Sequence, residues 1–358
     1  MTNKKLKVLM CGSKLSVGGG MVTVIKNYLN CKDWNDIEIT YIPTHIDKSN
    51  IVKAGFYCIA YIRIFFLTVF RHYDLAHIHT TENGSFFRKG YLAKLLKRRK
   101  IKVILHHHID YTEFYLRQSE KNKQFINHIF NEVDLNIVLG KNQGEFIKDK
   151  AANANIRVVY NAVNTYAINP YNVNATYVMF FGWLIERKGI FDFLRAIREL
   201  DAVLDENIKF ILCGEGEPSI YDKIKDLGIN NRIAHIGWVN REERDKYFKN
   251  TFVHVLPSYR EGLPMTILES MAYGIPNIAT NIATIPEVIQ SEKNGILIRA
   301  GDIEALKSSI YCLSKDKKLR RKLSENAFKT IASKFSLSEH LDCVRKIYKN
   351  ISEEGNKF

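Results

Sequence analysis

Residues 256–280 read LPSYREGLPMTILESMAYGIPNIAT, and this stretch decides the fold. The residues leading into it, VHVLPS (253–258), read as a buried strand ending in a loop. Its last six, IPNIAT (275–280), read as another strand. Between them, Pro264 suits the first turn of a helix, and Gly274 with Pro276 gives a Gly-then-Pro stop. The spacing therefore predicts a helix from Pro264 to Tyr273, with Glu261 on the loop just before it. Strand, acidic loop, Gly-bounded helix and strand form a βαβ unit. Its charge lies at the strand's carboxyl end, where open α/β sheets bind ligands.

Ser258, Glu261 and Gly262 are loop residues at the helix N-terminus, whose backbone N–H groups and dipole attract anions. Glu269 follows one to two turns into the helix. At about 1.5 Å per residue the two carboxylates are on the order of 12 Å apart. A nucleotide-diphosphate sugar matches that span, with carboxylates at the hexose and the ribose and amides at the diphosphate. Glu-x7-Glu alone would read as two surface glutamates; its flanks carry the argument.

With those flanks, PSYREGLPMTILESMAYGIPNIAT (257–280) resembles the signature of retaining glycosyltransferases of family 4. The resemblance implies an α/β chain of the GT-B fold: two Rossmann-like, doubly wound domains facing across a cleft. YVMFFG (177–182) followed by WLIERKGIFDFLRAI is similar to the family's Gly-Arg-Leu…Lys-Gly segment, whose Arg and Lys neutralise the donor diphosphate. Trp183 stands at the usual Arg position, and Arg187 beside Lys188 supplies the charge. IKFILCGEG (208–216) ends in another glycine turn at the cleft, and RIAHIGWV (232–239) matches a strand that lies against the nucleotide base in family members.

The first half reads as strands alternating with helices. LKVLMC (6–11) is a strand, and Gly18-Gly19-Gly20 precedes a helix from about Val22 to Leu29. This is neither GxGxxG nor a Walker loop. The resemblance places Gly19 and Gly20 toward the donor diphosphate or the acceptor. EITYIP (38–43) is the second strand. Ile51 to His72 reads as a core helix, with an interfacial helix as the other reading; its most apolar part, Ile59 to Phe70, carries Arg63 and is too short to span a bilayer. His77 and His79 share a strand face and could ligate a metal, but no convincing third ligand follows, which favours packing or substrate contact.

KVILHHH (102–108) is a strand delivering histidines to its carboxyl end. Adjacent strand residues point to opposite faces, so the three cannot meet one ion. The resemblance assigns the functional histidine beside the acceptor to His108, with His106 as the fallback; Ile109 replaces the family's usual Gly. VDLNIVL (133–139) and IRVVYNAV (156–163) are further strands, and the Asn-rich NTYAINPYNVNAT (164–176) is the linker candidate. The expected division is residues 1–165 as an acceptor-binding domain and 176–338 as a nucleotide-sugar-binding domain. A helix over about 339–358 would pack back on the first.

The net charge of +15 is uneven: residues 1–175 carry +12, the remainder +3. Such asymmetry points to a polyanion or an anionic membrane. No zinc-finger spacing or RNA-recognition module is present, which argues against nucleic acid. Arg88 to Lys102 holds eight basic residues and no acid, namely Arg88, Lys89, Lys94, Lys97, Arg98, Arg99, Lys100 and Lys102. With Tyr91, Leu92, Leu95 and Leu96 as an apolar face, it reads as a helix lying at an anionic membrane surface. A merely solvated basic face is the other reading. Six scattered cysteines without CxxC, and no apolar leader, fit a cytoplasmic protein peripheral on the inner face of the cell membrane.

No two aspartates stand two apart, so the Asp-x-Asp of metal-dependent transferases is absent, and neither metal nor cofactor is expected. The resemblance makes Glu261, His108 and Lys188 the catalytic set. Donor contacts fall to Arg187, Lys188, Gly262, Leu263, Glu269, Gly19 and Gly20. The expected activity moves a hexosyl unit from a nucleotide-diphosphate sugar, with UDP favoured, to a glycan acceptor. An acceptor on an undecaprenyl carrier in capsular or exopolysaccharide synthesis is favoured over a free oligosaccharide. A UDP-sugar epimerase and a noncatalytic partner subunit stay open as alternatives.

Overall fold

The computed structural model describes residues 5–353 and divides into two compact units. Unit 1 comprises residues 1–161 and 337–358, and unit 2 residues 162–336. In unit 1, β1 (Leu6–Ser13), β2 (Ile37–His45), β3 (Leu75–Thr80), β4 (Lys102–His107), β5 (Leu135–Val138) and β6 (Ile156–Val158) form one sheet in the order β2-β1-β3-β4-β5-β6. Every pairing is parallel. Buried runs such as Val8–Cys11 and Val103–Leu105 explain why: both faces of a parallel sheet are covered, so strands read as continuous apolar stretches. The helices between strands are α1 (Gly20–Leu29), α2 (Asn50–Phe70), α3 (Gly84–Arg98), α4 (Thr112–Leu116), α5 (Glu120–Glu132) and α6 (Lys141–Lys150).

Unit 2 repeats the plan. Its strands are β7 (Tyr177–Phe181), β8 (Lys209–Cys213), β9 (Ile233–Gly237), β10 (Thr251–Leu256), β11 (Asn277–Thr280) and β12 (Ile296–Ile298). They run parallel in the order β12-β11-β10-β7-β8-β9. Its helices are α7 (Ile190–Leu200), α8 (Ser219–Asp226), α9 (Arg241–Lys249), α10 (Met265–Ala272), α11 (Ile285–Val288), α12 (Ile303–Lys315) and α13 (Lys317–Lys334). In α7, Ile190, Phe193, Leu194, Ile197 and Leu200 are buried, the i, i+3, i+4, i+7 stripe of a helix packed on a sheet. Asn240 and Glu243 close α9 with a reciprocal capping box. The order places a topological switch point between β7 and β10, and in unit 1 between β1 and β3.

The C-terminal helix, α14 (Leu337–Glu353), belongs to unit 1. It buries Val344, Ile347, Tyr348 and Ile351, and Lys349 pairs with Asp36 at 2.5 Å. The stretch 164–176, read as a linker, lies within unit 2 and packs there. Tyr166 sets its ring against Tyr273, the Asn169 amide donates to Ser324 at 3.0 Å, and the Tyr171 hydroxyl donates to the Phe252 carbonyl at 3.0 Å.

Two readings of unit 1 are corrected. The α2 helix is not a core helix: Ala60, Ile64 and Thr68 are its buried residues, and most of the others are exposed. Taken whole, it is also long and apolar enough to cross a membrane by length and composition, unlike the shorter stretch from Ile59. The α3 helix does not present its apolar face to a surface. Phe86, Lys89, Leu92, Ala93 and Leu96 are buried against the sheet and α5. Lys89 is thus inside, Arg88 is half-buried beside the Tyr57 ring, and Lys97 and Lys102 are bound to Asp134 at 2.7 and 3.2 Å. Lys94 is partly buried, and Arg98, Arg99 and Lys100 form the exposed end of that basic run.

Candidate active site

Two crossovers meet at the switch point of unit 2. After β7 the chain makes a 3-10 turn at Glu186–Lys188 and enters α7 through Gly189. After β10 it turns through 257–264 and enters α10. Pro264 immediately precedes α10, whose first residue is Met265, one later than its sequence suggests. The turns are stitched together: the Tyr259 amide donates to the Arg187 carbonyl at 2.9 Å, and the Arg187 guanidinium donates to the Arg260 carbonyl at 2.7 Å. Gly189 permits the approach. Its φ is +74°, and a Cβ there would stand 2.1 Å from the Pro257 carbonyl oxygen.

This arrangement brings Lys188 Nζ to 2.5 Å from Glu261 Oε1. The side chains are 13% and 7% exposed. The Ser258 hydroxyl donates to the same oxygen at 2.7 Å, and the Thr280 hydroxyl fixes Ser258 by donating to its carbonyl at 2.6 Å. Gly262 and Leu263 are buried in the same turn. A cation, a carboxylate and a hydroxyl are thus held at the carboxyl ends of β7 and β10.

Glu269 lies on α10 with its side chain 18% exposed, 3.6 Å from Arg244 Nη1. Burial pushes its carboxyl up to about 7, Arg244 opposing the rise and Asp245 adding to it. It is a half-sheltered acid rather than the solvent-facing group the sequence suggests. Arg244 is a partner that sequence reasoning missed; the capping box at Asn240–Glu243 fixes the helix carrying it, but nothing in the spacing joins α9 to α10.

In unit 1, Gly19 and Gly20 are exposed and open α1 after β1, with Gly19 at φ +122°. His108 follows β4, where its amide donates to the Thr80 carbonyl at 3.0 Å. Sheet register sets His79 beside His106, and the imidazoles form a ladder. His108 Nε2 and His79 Nδ1 are 2.8 Å apart, His77 Nε2 and His106 Nδ1 are 3.1 Å apart, and the Tyr348 hydroxyl meets His77 Nδ1 at 2.5 Å. His107 points to the other face, to Asn136 and Tyr111. Burial first, then neighbouring imidazoles, holds His79, His106 and His108 below their ordinary range, so they are neutral. His77, His79 and His106 offer ring nitrogens within 4.8 Å of one another, so the pair on β3 does gain a third imidazole, from the next strand. His77 is hydrogen-bonded to His106 and to Tyr348, and His79 to His108, and we assign the four rings as a packed polar ladder. Lys89 is buried nearby, its ammonium lowered to about 7 by burial and by Arg88.

Residues 166–330 match the family of group 1 glycosyl transferases. An uncharacterised glycosyltransferase of Methanocaldococcus jannaschii is 30% identical over 287 residues, covering 78% of this chain and 76% of that one. The UDP-Gal:alpha-D-GlcNAc-diphosphoundecaprenol alpha-1,3-galactosyltransferase of Escherichia coli is 30% identical over 142 residues, 39% of this chain and 36% of that one. Among solved structures, Anabaena HepE in complex with UDP-glucose superposes with a TM-score of 0.75 at 14% identity, covering 96% of this chain and all of that one. Two parallel six-stranded sheets with alternating helices are the GT-B architecture.

Proposed function

The chain belongs to the group 1 glycosyltransferases, and from that premise we propose that it moves a hexosyl unit from a UDP-sugar to a lipid-linked glycan acceptor, with retention and without a metal ion. The observation carrying this reading is the Lys188–Glu261–Ser258 cluster at the switch point of unit 2. Lys188 and Arg187 stand where a diphosphate would meet both cations and the N-terminus of α10. Glu261, oriented by Ser258, accepts hydrogen bonds from the sugar hydroxyls. Glu269 accepts them from the ribose. The amides of Gly262 and Leu263 donate to the phosphate oxygens.

In the step itself the bond from the anomeric carbon to the β-phosphate oxygen breaks, and the bond to the acceptor oxygen forms on the same face. The acceptor's hydroxyl proton passes to the departing phosphate oxygen. Charge therefore grows on the diphosphate, and cations fixed beside it lower the barrier most in the transition state. Within unit 1, neutral His108 is assigned to the acceptor by hydrogen bonding, and Gly19 and Gly20 to a close backbone approach by a ligand.

UDP and an undecaprenyl-diphosphate acceptor are favoured because the Escherichia coli relative and HepE carry those ligands in their names. The absence of Asp-x-Asp favours a metal-free site. A donor screen by thermal shift with UDP-, GDP-, dTDP- and ADP-sugars should show stabilisation with UDP-sugars alone. Turnover on a diphospholipid-linked acceptor should then persist in EDTA. Stabilisation by another nucleotide refutes the donor, and activity lost in EDTA but restored by Mn²⁺ refutes the metal-free step. An epimerised free UDP-sugar as product would refute transfer.

A further inference from the structure

The α2 helix carries an apolar face with no partner among the described residues. Along its 21 residues it has no acid, and its cations are Lys53 and Arg63. One stripe, Ala60, Ile64 and Thr68, packs on unit 1, and the Tyr57 hydroxyl bonds the Arg88 carbonyl on α3 at 2.5 Å. The opposite stripe is Val52, Ile59, Ile62, Phe66, Val69 and Phe70, at helical spacing and exposed throughout. Phe70 is 79% exposed and Ile59 70%. A soluble core explains the first stripe and leaves the second in water.

Charge beside the C-terminal half of this stripe is mainly basic. Arg63 is exposed along it, Arg71 follows its end, and Arg99, with Arg98 and Lys100 as its exposed sequence neighbours, reaches that end; at the other end Lys53 pairs with Asp47 at 3.4 Å. Arg99 ties them to the helix: its guanidinium donates to the Thr68 carbonyl at 3.1 Å and lies over the Phe65 ring. An apolar stripe bordered by cations fits an anionic lipid surface: side chains enter the acyl boundary while the cations meet headgroup phosphates. A second protein chain would be matched by the apolar stripe but would need acidic groups to match the Arg63, Arg71 and Arg99 border.

We infer that α2 is an interfacial docking helix, lying in the plane of an anionic membrane and seated through Val52, Ile59, Ile62, Phe66, Val69 and Phe70. The surface moves from α3, where the sequence suggested it, to α2, with the end of α3 contributing Arg98, Arg99 and Lys100. The inference builds on the lipid-linked acceptor reading, since docking brings the enzyme to its acceptor. Vesicles that contain no acceptor test the surface alone.

The experiment is flotation of the full chain with phosphatidylglycerol vesicles and with phosphatidylcholine vesicles. The protein should float with the anionic vesicles at low salt and be released by high salt. The variant Ile59→Ser/Ile62→Ser/Phe66→Ser/Phe70→Ser should bind them about tenfold or more weakly. Ile168→Ser, which removes an exposed apolar side chain from unit 2, should bind like the parent. All five positions are exposed, so fold and UDP binding should be unchanged in both variants. Equal binding to neutral and anionic vesicles, or undiminished binding by the quadruple variant, overturns the inference. So does a parent that ignores vesicles but is a dimer in solution, converted to monomer by the quadruple variant. If docking fails while transfer to a water-soluble acceptor analogue survives, the transferase reading stands without it.

Discussion

Lys188→Ala tests the site at its most constrained point. The ammonium it removes is 2.5 Å from Glu261, in a place where the two side chains keep 13% and 7% of their exposure. The Glu261 carboxylate is then left with Ser258 as its partner in this cluster. One-sided removal from a buried pair costs about 3–5 kcal/mol. The retained Ser258 bond and the residual exposure bring the expectation to roughly 2–3 kcal/mol. For a unit of this size, that corresponds to roughly 5–10 °C in the Tm of unit 2. Lys188→Met/Glu261→Gln removes both charges and should recover most of that loss, because a buried pair replaced on both sides is nearly neutral.

Activity should not follow stability in this series. On the proposed reaction both variants lack the cation that meets the leaving diphosphate, so kcat/KM should fall by about 10²–10³ in each. Urea unfolding and steady-state turnover with a UDP-sugar read the two quantities separately. A double variant no more stable than Lys188→Ala would show that the pair is not what holds the turns. Full turnover by Lys188→Ala would show that the diphosphate charge is met elsewhere.

Further outcomes follow from Glu269 and from two glycines. With the Glu269 carboxyl raised to about 7, donor affinity by calorimetry should weaken about tenfold from pH 8 to pH 6, as protonation removes the acceptor of the ribose hydroxyls. The folded value lies above the unfolded one, so the ionised group costs stability above about pH 7, and that cost fades as pH falls toward the unfolded value. Glu269→Gln should flatten the affinity profile; a parent profile already flat would remove Glu269 from the ribose. Gly189→Ala should destabilise unit 2 by about 2 kcal/mol or more and abolish turnover, given its φ of +74° and a backbone oxygen 2.1 Å from the new Cβ. Gly55→Ala on α2, where nothing lies within 4 Å, should be neutral or stabilising by up to about 1 kcal/mol, and similar melting of the two variants would refute the steric argument.

The alternation of apolar runs and helical periods was legible because a parallel sheet buried on both faces leaves no polar alternation to confuse it. Strand order was not legible, and it places the site. Lys188 and Glu261 are 73 residues apart, on different crossovers, and meet because β10 pairs with β7. The sequence names the two residues but contains nothing of their distance. The histidines show the same division. Period two on each strand put His77 with His79 and separated His107 from its neighbours, whereas the ladder required the register that sets His79 beside His106.

The basic helix carries its own burial signal. Phe86, Lys89, Ala93 and Leu96 recur at intervals of three, four and three, the spacing of one helix face. A lysine on that stripe must go where the phenylalanine and leucine go, and the structure buries it. A count of cations from Arg88 to Lys102 makes eight charges one surface, but the fold divides them between the sheet, Asp134 and solvent. In α2 the ambiguity is physical rather than overlooked. A helix apolar on both faces has the same composition whether protein or lipid covers its second face. Only the first covering, by unit 1 along Ala60, Ile64 and Thr68, shows which stripe is left over. That remainder, together with Arg99 tied across its end, turns a compositional ambiguity into a surface with a stated chemistry.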